Sequence, residues 1–158
     1  MSYGRRPEGA KHWREKMLRE VGSQLDPTRT HFLGKVPYAG YKRILQVSAA
    51  HVYLTYPFVL SWSMLEAMAT GCLVIGSDTA PVLEVIRDGQ NGVTVDFFDD
   101  SAIAARVAHA LDAPERHRDM RERGRRFVLD RYRADTGLMA YEALLRESTH
   151  LQIQRSAA

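Results

Sequence analysis

The sequence holds one cysteine, Cys72, among 158 residues. A single thiol closes no intramolecular disulfide, so the expected location is cytoplasmic. Long apolar runs are missing as well. The longest, such as Cys72-Leu73-Val74-Ile75 between Gly71 and Gly76, fall far short of the ~20 residues that span a bilayer, and read instead as buried strands. Residues 1–7 carry basic side chains with no apolar segment behind them, which is not the pattern of a signal peptide. Neither a G-x-G-x-x-G run nor a phosphate loop ending in Gly-Lys-Ser/Thr occurs, so nothing supports a dinucleotide or P-loop reading. The six histidines are scattered, and His109 and His117 lack metal-ligand spacing. No metal or other cofactor is expected, and no Ser–His–Asp set emerges from spacing, so no catalytic residue is assigned.

What is present is ordinary globular material, 45% hydrophobic and 26% charged, in a length that suits one domain with its own core. The net charge is only +3, but Arg116, Arg118, Arg121, Arg123, Arg125, Arg126, Arg131 and Arg133 crowd one region. Glu115, Asp119, Glu122 and Asp130 are interleaved with them, as on a solvated helix laced with local ion pairs. Contact with an anionic membrane surface is the alternative, which would place the protein at the inner membrane face. Nucleic acid is set aside, because no aromatic residues are spaced along the stretch as a stacking platform.

Along the chain, helical periodicity alternates with short β-branched runs. Trp13, Met17, Leu18 and Val21 mark a helix that Gly22 ends. Residues 31–36 read as a strand, and Pro37 then opens a helix through Tyr41, Ile44, Leu45 and Val47. Residues 52–56 form a second strand closed by Pro57, and Ser61 or Ser63 caps the helix that follows, up to Gly71. Residues 73–76 form a strand buried on both faces, Pro81 starts a short helix through Val85 and Ile86, and residues 92–95 form a last strand. Helices are expected over 102–111, 115–132 and 135–147, with a frayed tail at 149–158. This alternation predicts an α/β fold: a Rossmann-like parallel sheet with helices on both faces. Four strands are few for such a sheet, and the chain opens on a helix, as though a first strand–helix unit were absent.

Parallel sheets bind ligands beyond the carboxyl ends of their strands. Over residues 56–63 a strand gives way to a helix start, where free backbone N–H groups and the helix dipole suit a diphosphate, with Ser61 and Ser63 adding hydroxyls. One turn on, Glu66 is either a carboxylate that accepts two vicinal hydroxyls or an exposed helix residue. In Gly76-Ser77-Asp78-Thr79-Ala80-Pro81 the glycine allows close backbone approach, and Asp78 or Thr79 can cap the next helix. Gly34-Lys35-Val36-Pro37 also ends a strand and can hold a flat base with backbone groups. Lys35 is either a surface lysine or a phosphate partner. Cys72 reads as a small core residue.

The run Ser61-Trp62-Ser63-Met64-Leu65-Glu66-Ala67-Met68-Ala69-Thr70-Gly71-Cys72-Leu73-Val74-Ile75-Gly76-Ser77-Asp78, followed by Glu84-Val85-Ile86-Arg87-Asp88-Gly89 and Asn91-Gly92, resembles the C-terminal domain of the family 4 retaining glycosyltransferases. The resemblance implies one half of a GT-B architecture, two Rossmann-like domains facing a cleft, and sugar transfer from a nucleotide-sugar with retention and without a metal. It implies that Glu66 holds the donor ribose, that Leu60, Ser61 and Trp62 lie where backbone N–H groups approach the donor, and that Gly34, Lys35 and Val36 border the base. The donor is a UDP-, GDP- or ADP-sugar.

Two departures accompany it. The family has a Glu, seven intervening residues and then a second Glu; with Glu66 as the second, the first position is Phe58. The family's diphosphate-clamping Arg and Lys, and its N-terminal acceptor domain, would lie before residue 1. Residues 1–148 are therefore expected to be a truncated donor domain, needing the acceptor domain or a split partner chain. The final helix normally packs across to that other domain, so its apolar residues Leu138, Tyr141, Leu144 and Leu145 are expected to drive self-association. The alternatives are a non-catalytic nucleotide- or partner-binding module and, further off, a sugar-nucleotide epimerase.

Overall fold

The computed structural model describes residues 6–56 and 58–156, the last eight of these by backbone alone. Pro57, expected to close a strand, lies outside them. The described chain forms two units, one ending at Val36 and one beginning at Pro37.

The first unit is built on α1 (Trp13–Val21), and His12 caps it by accepting the Glu15 N–H at Nδ1, 3.0 Å away. The strand expected at 31–36 does not form. A strand needs a neighbour for its N–H and C=O groups, and no strand occurs among the described residues of this unit. Phe32 instead lies beneath the Arg14 guanidinium, 4.3 Å from its ring centre, and Gly34 turns the chain at φ 65°.

The second unit is the α/β body. Its elements are α2 (Tyr38–Val47), β1 (Ala50–Tyr53), α3 (Trp62–Ala69), β2 (Leu73–Ser77), α4 (Ala80–Leu83), β3 (Val93–Val95), α5 (Asp100–Asp112), α6 (Arg118–Arg131) and α7 (Ala134–Ser156). The strands form one parallel sheet in the order β1-β2-β3. All five residues of β2 are buried. Its side chains alternate between two cores. Val74 joins Met64 and Met68 of α3, Val82 of α4 and Val128 of α6 on one face. Leu73 and Ile75 join Val93, Val95 and Ala110 on the other, where Ile103 and Val107 of α5 complete the cover. A strand so enclosed must be apolar at every position, which is why it reads as an uninterrupted run.

Two elements are shorter than their patterns predict, in both cases because a side chain takes over a backbone bond. β1 pairs with β2 from Ala50↔Leu73 to Tyr53↔Gly76 and then stops. Beyond it, the Ser77 hydroxyl donates to the Thr55 carbonyl at 2.9 Å and accepts the Thr55 N–H at 3.0 Å, replacing the next ladder bonds. α4 ends at Leu83 because Asn91 donates to the Val85 carbonyl at 2.9 Å and accepts the Arg87 N–H at 2.7 Å. At the other end of the chain, α7 runs on to Ser156, through most of the segment expected to fray.

Gly76 is a packing glycine. A Cβ there would lie 2.9 Å from Val82 Cγ1, so α4 sits directly on the strand. Gly124 in α6 is held the same way, 2.6 Å from the Asn91 carbonyl oxygen to its would-be Cβ, whereas Gly137 in α7 faces open space. Gly124→Ala is therefore expected to lose about 1–3 kcal/mol through overpacking. Gly137→Ala is expected to gain about 0.5–1 kcal/mol from helix propensity. Urea unfolding of the two variants separates the effects, and stabilisation at both positions would refute the close packing of α6.

Candidate functional site

The carboxyl edge of the sheet gathers the starts of α2, α3 and α4. Ser61 is the N-cap of α3: its Oγ accepts the Ser63 N–H at 3.3 Å and lies 3.0 Å from the Ser63 hydroxyl. Its own N–H donates to the Tyr53 phenol at 2.9 Å, and its carbonyl accepts the Met64 N–H. The helix start is thus more self-contained than the free donors expected from the sequence, because a serine at the cap satisfies its own turn. Leu60 points its side chain into the core, while Trp62 stands 77% exposed.

Glu66 is half-buried one turn further in. Its Oε1 accepts the Tyr38 hydroxyl at 3.1 Å, so it is not a free surface carboxylate. Tyr38 opens α2, and Tyr41 follows one turn later with its hydroxyl buried and without a hydrogen-bond partner. Burial, and then the Glu66 charge, pushes the Tyr41 phenol up to about 12. The hydrogen bond to Glu66 raises the Tyr38 phenol too. Sequence reasoning missed both tyrosines. Their spacing of three, just after a helix-opening proline, was the available signal.

Around the second loop, Thr79 takes the N-cap position of α4 but makes no capping bond through its side chain. Its hydroxyl lies 3.4 Å from that of the buried Ser77. Asp78 is exposed and does not cap the helix; its N–H donates to the Val95 carbonyl at 2.9 Å. The loops that follow β1, β2 and β3 also line an open cleft of about 300 Å³, with Tyr56, Phe58, Phe97, Phe98, Asp78 and Asp96 among its walls. The sequence reading did not anticipate it. The residues that build it stand on three separate loops.

Other candidates resolve into structural roles. Asp88 accepts the Thr94 N–H at 2.8 Å, and Gly89 turns at φ 69° with its N–H on the Gly92 carbonyl. The arginines do not form the expected lattice of ion pairs. Arg121 and Arg125 donate to the Gly71 and Ala69 carbonyls at the end of α3, and Arg123 donates to Gln90, each at 2.6 Å. Cations at a helix C-terminus satisfy its orphan carbonyls and complement its dipole. Between Glu115 and Tyr132, Glu115–Arg118 is the ion pair that forms among the described residues. His109 and His117 stack edge to face at 5.3 Å between ring centres, and no cluster of metal-ligating side chains occurs among the described residues. Cys72 is buried, and burial pushes its thiol up to about 11. Gly34, Lys35 and Val36 form an exposed turn of the first unit.

With this geometry in hand, comparison with known proteins is decisive. Residues 9–127 match the family described as glycosyl transferases group 1. The chain belongs to that family. It is 30% identical over 116 residues to the N-acetyl-alpha-D-glucosaminyl L-malate synthase of Bacillus anthracis, a match covering 73% of this chain and 30% of that protein. The sucrose-phosphate synthase of Thermosynechococcus elongatus superposes with TM-score 0.75 at 21% identity, over 94% of this chain and 38% of its own. Anabaena Alr3699/HepE, crystallised with UDP-glucose, superposes with TM-score 0.78 at 13% identity, over 89% of this chain and 38% of its own. The parallel sheet with helices on both faces is thus the fold of one part of the GT-B glycosyltransferases, and the chain spans about a third of the length of these proteins. No helix among the described residues is long and apolar enough to cross a membrane.

The Glu66 pair makes a testable electrostatic unit. Both phenols are shifted upward, so their contribution to stability is complete below the ordinary value of 10, and that of Tyr41 is lost as the pH rises through about 12. Followed by tyrosinate absorbance, Glu66→Ala should let Tyr38 and Tyr41 ionise earlier, and Tyr41→Phe should remove the latest-titrating phenol. An unchanged titration in Glu66→Ala would show that the carboxylate does not govern them.

Proposed function

We propose that this chain is the donor-binding part of a transferase that moves a sugar from a UDP-, GDP- or ADP-sugar to an acceptor, with retention of anomeric configuration and without a metal. The observation that carries the reading is Glu66, anchored through Oε1 by Tyr38 beside the start of α3. Its second oxygen is suited to the vicinal hydroxyls of a ribose. The dipole of α3, with the Ser61 and Ser63 hydroxyls at its start, provides positive potential for the charge that develops on the departing diphosphate. Gly34, Lys35 and Val36 would border the base, as the family resemblance implies. Transfer also needs an acceptor domain to exclude water and orient the nucleophile, so the chain alone should bind donor while transferring little.

Titration calorimetry with UDP, GDP and ADP tests this. One nucleotide should bind, and Glu66→Ala should weaken it by at least about tenfold, the loss of charged hydrogen bonds. Binding by none of the three, or equal binding by the variant, would overturn the donor reading. A second reading, a non-catalytic binding module, draws on Phe58, which stands 70% exposed where the family carries an acid. Robust glycosyl transfer by this chain alone would dismiss it, and with it the need for an acceptor domain.

The helix α7 exposes Leu138, Tyr141 and Leu144 on one side, a face for the acceptor domain or for a second copy. Light scattering should accordingly show the isolated chain associating as its concentration rises, and a monodisperse monomer would count against that role.

A further inference from the structure

At the end of α3 away from its serine cap, the start of α6 borders a second cleft, of about 350 Å³. Small-molecule sites usually measure about 300–1,000 Å³ and are mostly apolar. This one has the size but holds no apolar side chain in its lining. Arg118, Arg121 and Arg125 line it, spaced by three and then four residues and so on one face of α6. Glu122 lies among them, and Glu115 joins from the turn at Pro114–His117.

Two of the three guanidiniums are braced. Arg121 donates through Nε to the Gly71 carbonyl and Arg125 through Nη1 to the Ala69 carbonyl, each at 2.6 Å. Each bond occupies a single N–H of its guanidinium. It leaves the positive charge whole, because a carbonyl is a dipole and not a counterion. Among the described residues no carboxylate forms an ion pair with either arginine, while Arg118 is held by Glu115 at 3.2 Å.

Braced guanidiniums with terminal N–H groups to spare are pre-organised for an oxyanion, and their planar forks match phosphate oxygens in pairs. The carboxylate beside them restricts what that phosphate is attached to. Glu122 repels a second negative group, but it accepts hydroxyl protons. A lipid headgroup would bring acyl chains to a cleft that has no apolar wall to receive them.

We infer that this cleft binds a small, soluble phosphate monoester of a polyol, with the phosphate on Arg121 and Arg125 and the hydroxyls on Glu122. Arg118 adds positive potential at the start of α6. The site lies where α6 meets the end of α3, whereas Glu66 faces Tyr38 of α2. It is therefore separate from the proposed nucleotide site and does not depend on the donor reading.

Phosphorus NMR titration of the full chain with glycerol phosphate and with inorganic phosphate tests this, beside co-sedimentation with phosphatidylcholine vesicles that contain phosphatidate. Glycerol phosphate should bind, and more tightly than inorganic phosphate. Arg121→Gln should weaken it by about tenfold or more, the loss of charged hydrogen bonds. Because Arg121 also braces α3, Arg118→Gln at an exposed position serves as a second variant, expected to weaken binding about threefold. Glu122→Ala should tighten inorganic phosphate and abolish the preference for the polyol ester. Arg126→Gln, which removes an arginine outside the lining, and Glu66→Ala should both leave binding unchanged. Absence of glycerol phosphate binding, or binding of phosphate confined to the vesicles, would overturn the proposal. So would an equal loss in Arg126→Gln, the mark of diffuse charge, or a loss in Glu66→Ala, which would put the ligand in the nucleotide site.

Discussion

The second unit is organised around one strand with no solvent-facing side. All five residues of β2 are buried, with Leu73 and Ile75 filling one core and Val74 the other. Helices must therefore cover both faces, and each turns an apolar stripe toward β2. The short distances follow from the same constraint. Gly76 admits Val82 of α4 and Gly124 admits the Asn91 backbone, because any larger residue would hold those layers apart. The loops at the carboxyl edge inherit their positions from this stack.

At that edge, side chains finish what the backbone ladder leaves incomplete. The Ser77 hydroxyl bridges both backbone groups of Thr55, and the Tyr53 phenol receives the Ser61 N–H. These three bonds tie the end of β1 to β2 and to the start of α3. Glu66 then sits one turn above a fixed helix start, with Tyr38 across from it on α2. In the proposed role of Glu66 as an acceptor for hydroxyls, such anchoring would reduce the rotamer freedom lost when a ligand arrives. The aromatic cleft lies on the same edge and draws one wall from each strand exit. Phe58, which departs from the family pattern when read alone, belongs to that group of rings.

Several of the most recognisable residues turn out to be architectural. In the Asp88-Gly89-Gln90-Asn91-Gly92 segment, Asp88 and Asn91 satisfy backbone groups and Gly89 supplies a left-handed turn. The arginine-rich stretch behaves likewise. Arg121 and Arg125 close the end of α3, and Arg123 holds the Gln90 turn. A basic stretch read as a surface property is in part a set of internal braces, for a guanidinium can reach carbonyls that no neighbouring residue of its own helix can satisfy.

The sequence by itself determined the fold class, the order of most elements and the family. Period-2 and period-3.6 patterns reflect burial against a sheet, and the run from Ser61 to Asp78 carries that burial in unbroken form. The serine cap of α3 and the core character of Cys72 were legible for the same reason, being local or set by apolarity alone. Only the tertiary structure decided what depended on partners distant in the chain. The segment at 31–36 has strand composition but no strand to pair with, and β1 and α4 end where Ser77 and Asn91 intercept their backbone groups. The Tyr38–Glu66 bond spans 28 positions, and the ring cluster joins residues from 56 to 98. Such contacts arise from the stacking of layers, which no local pattern encodes.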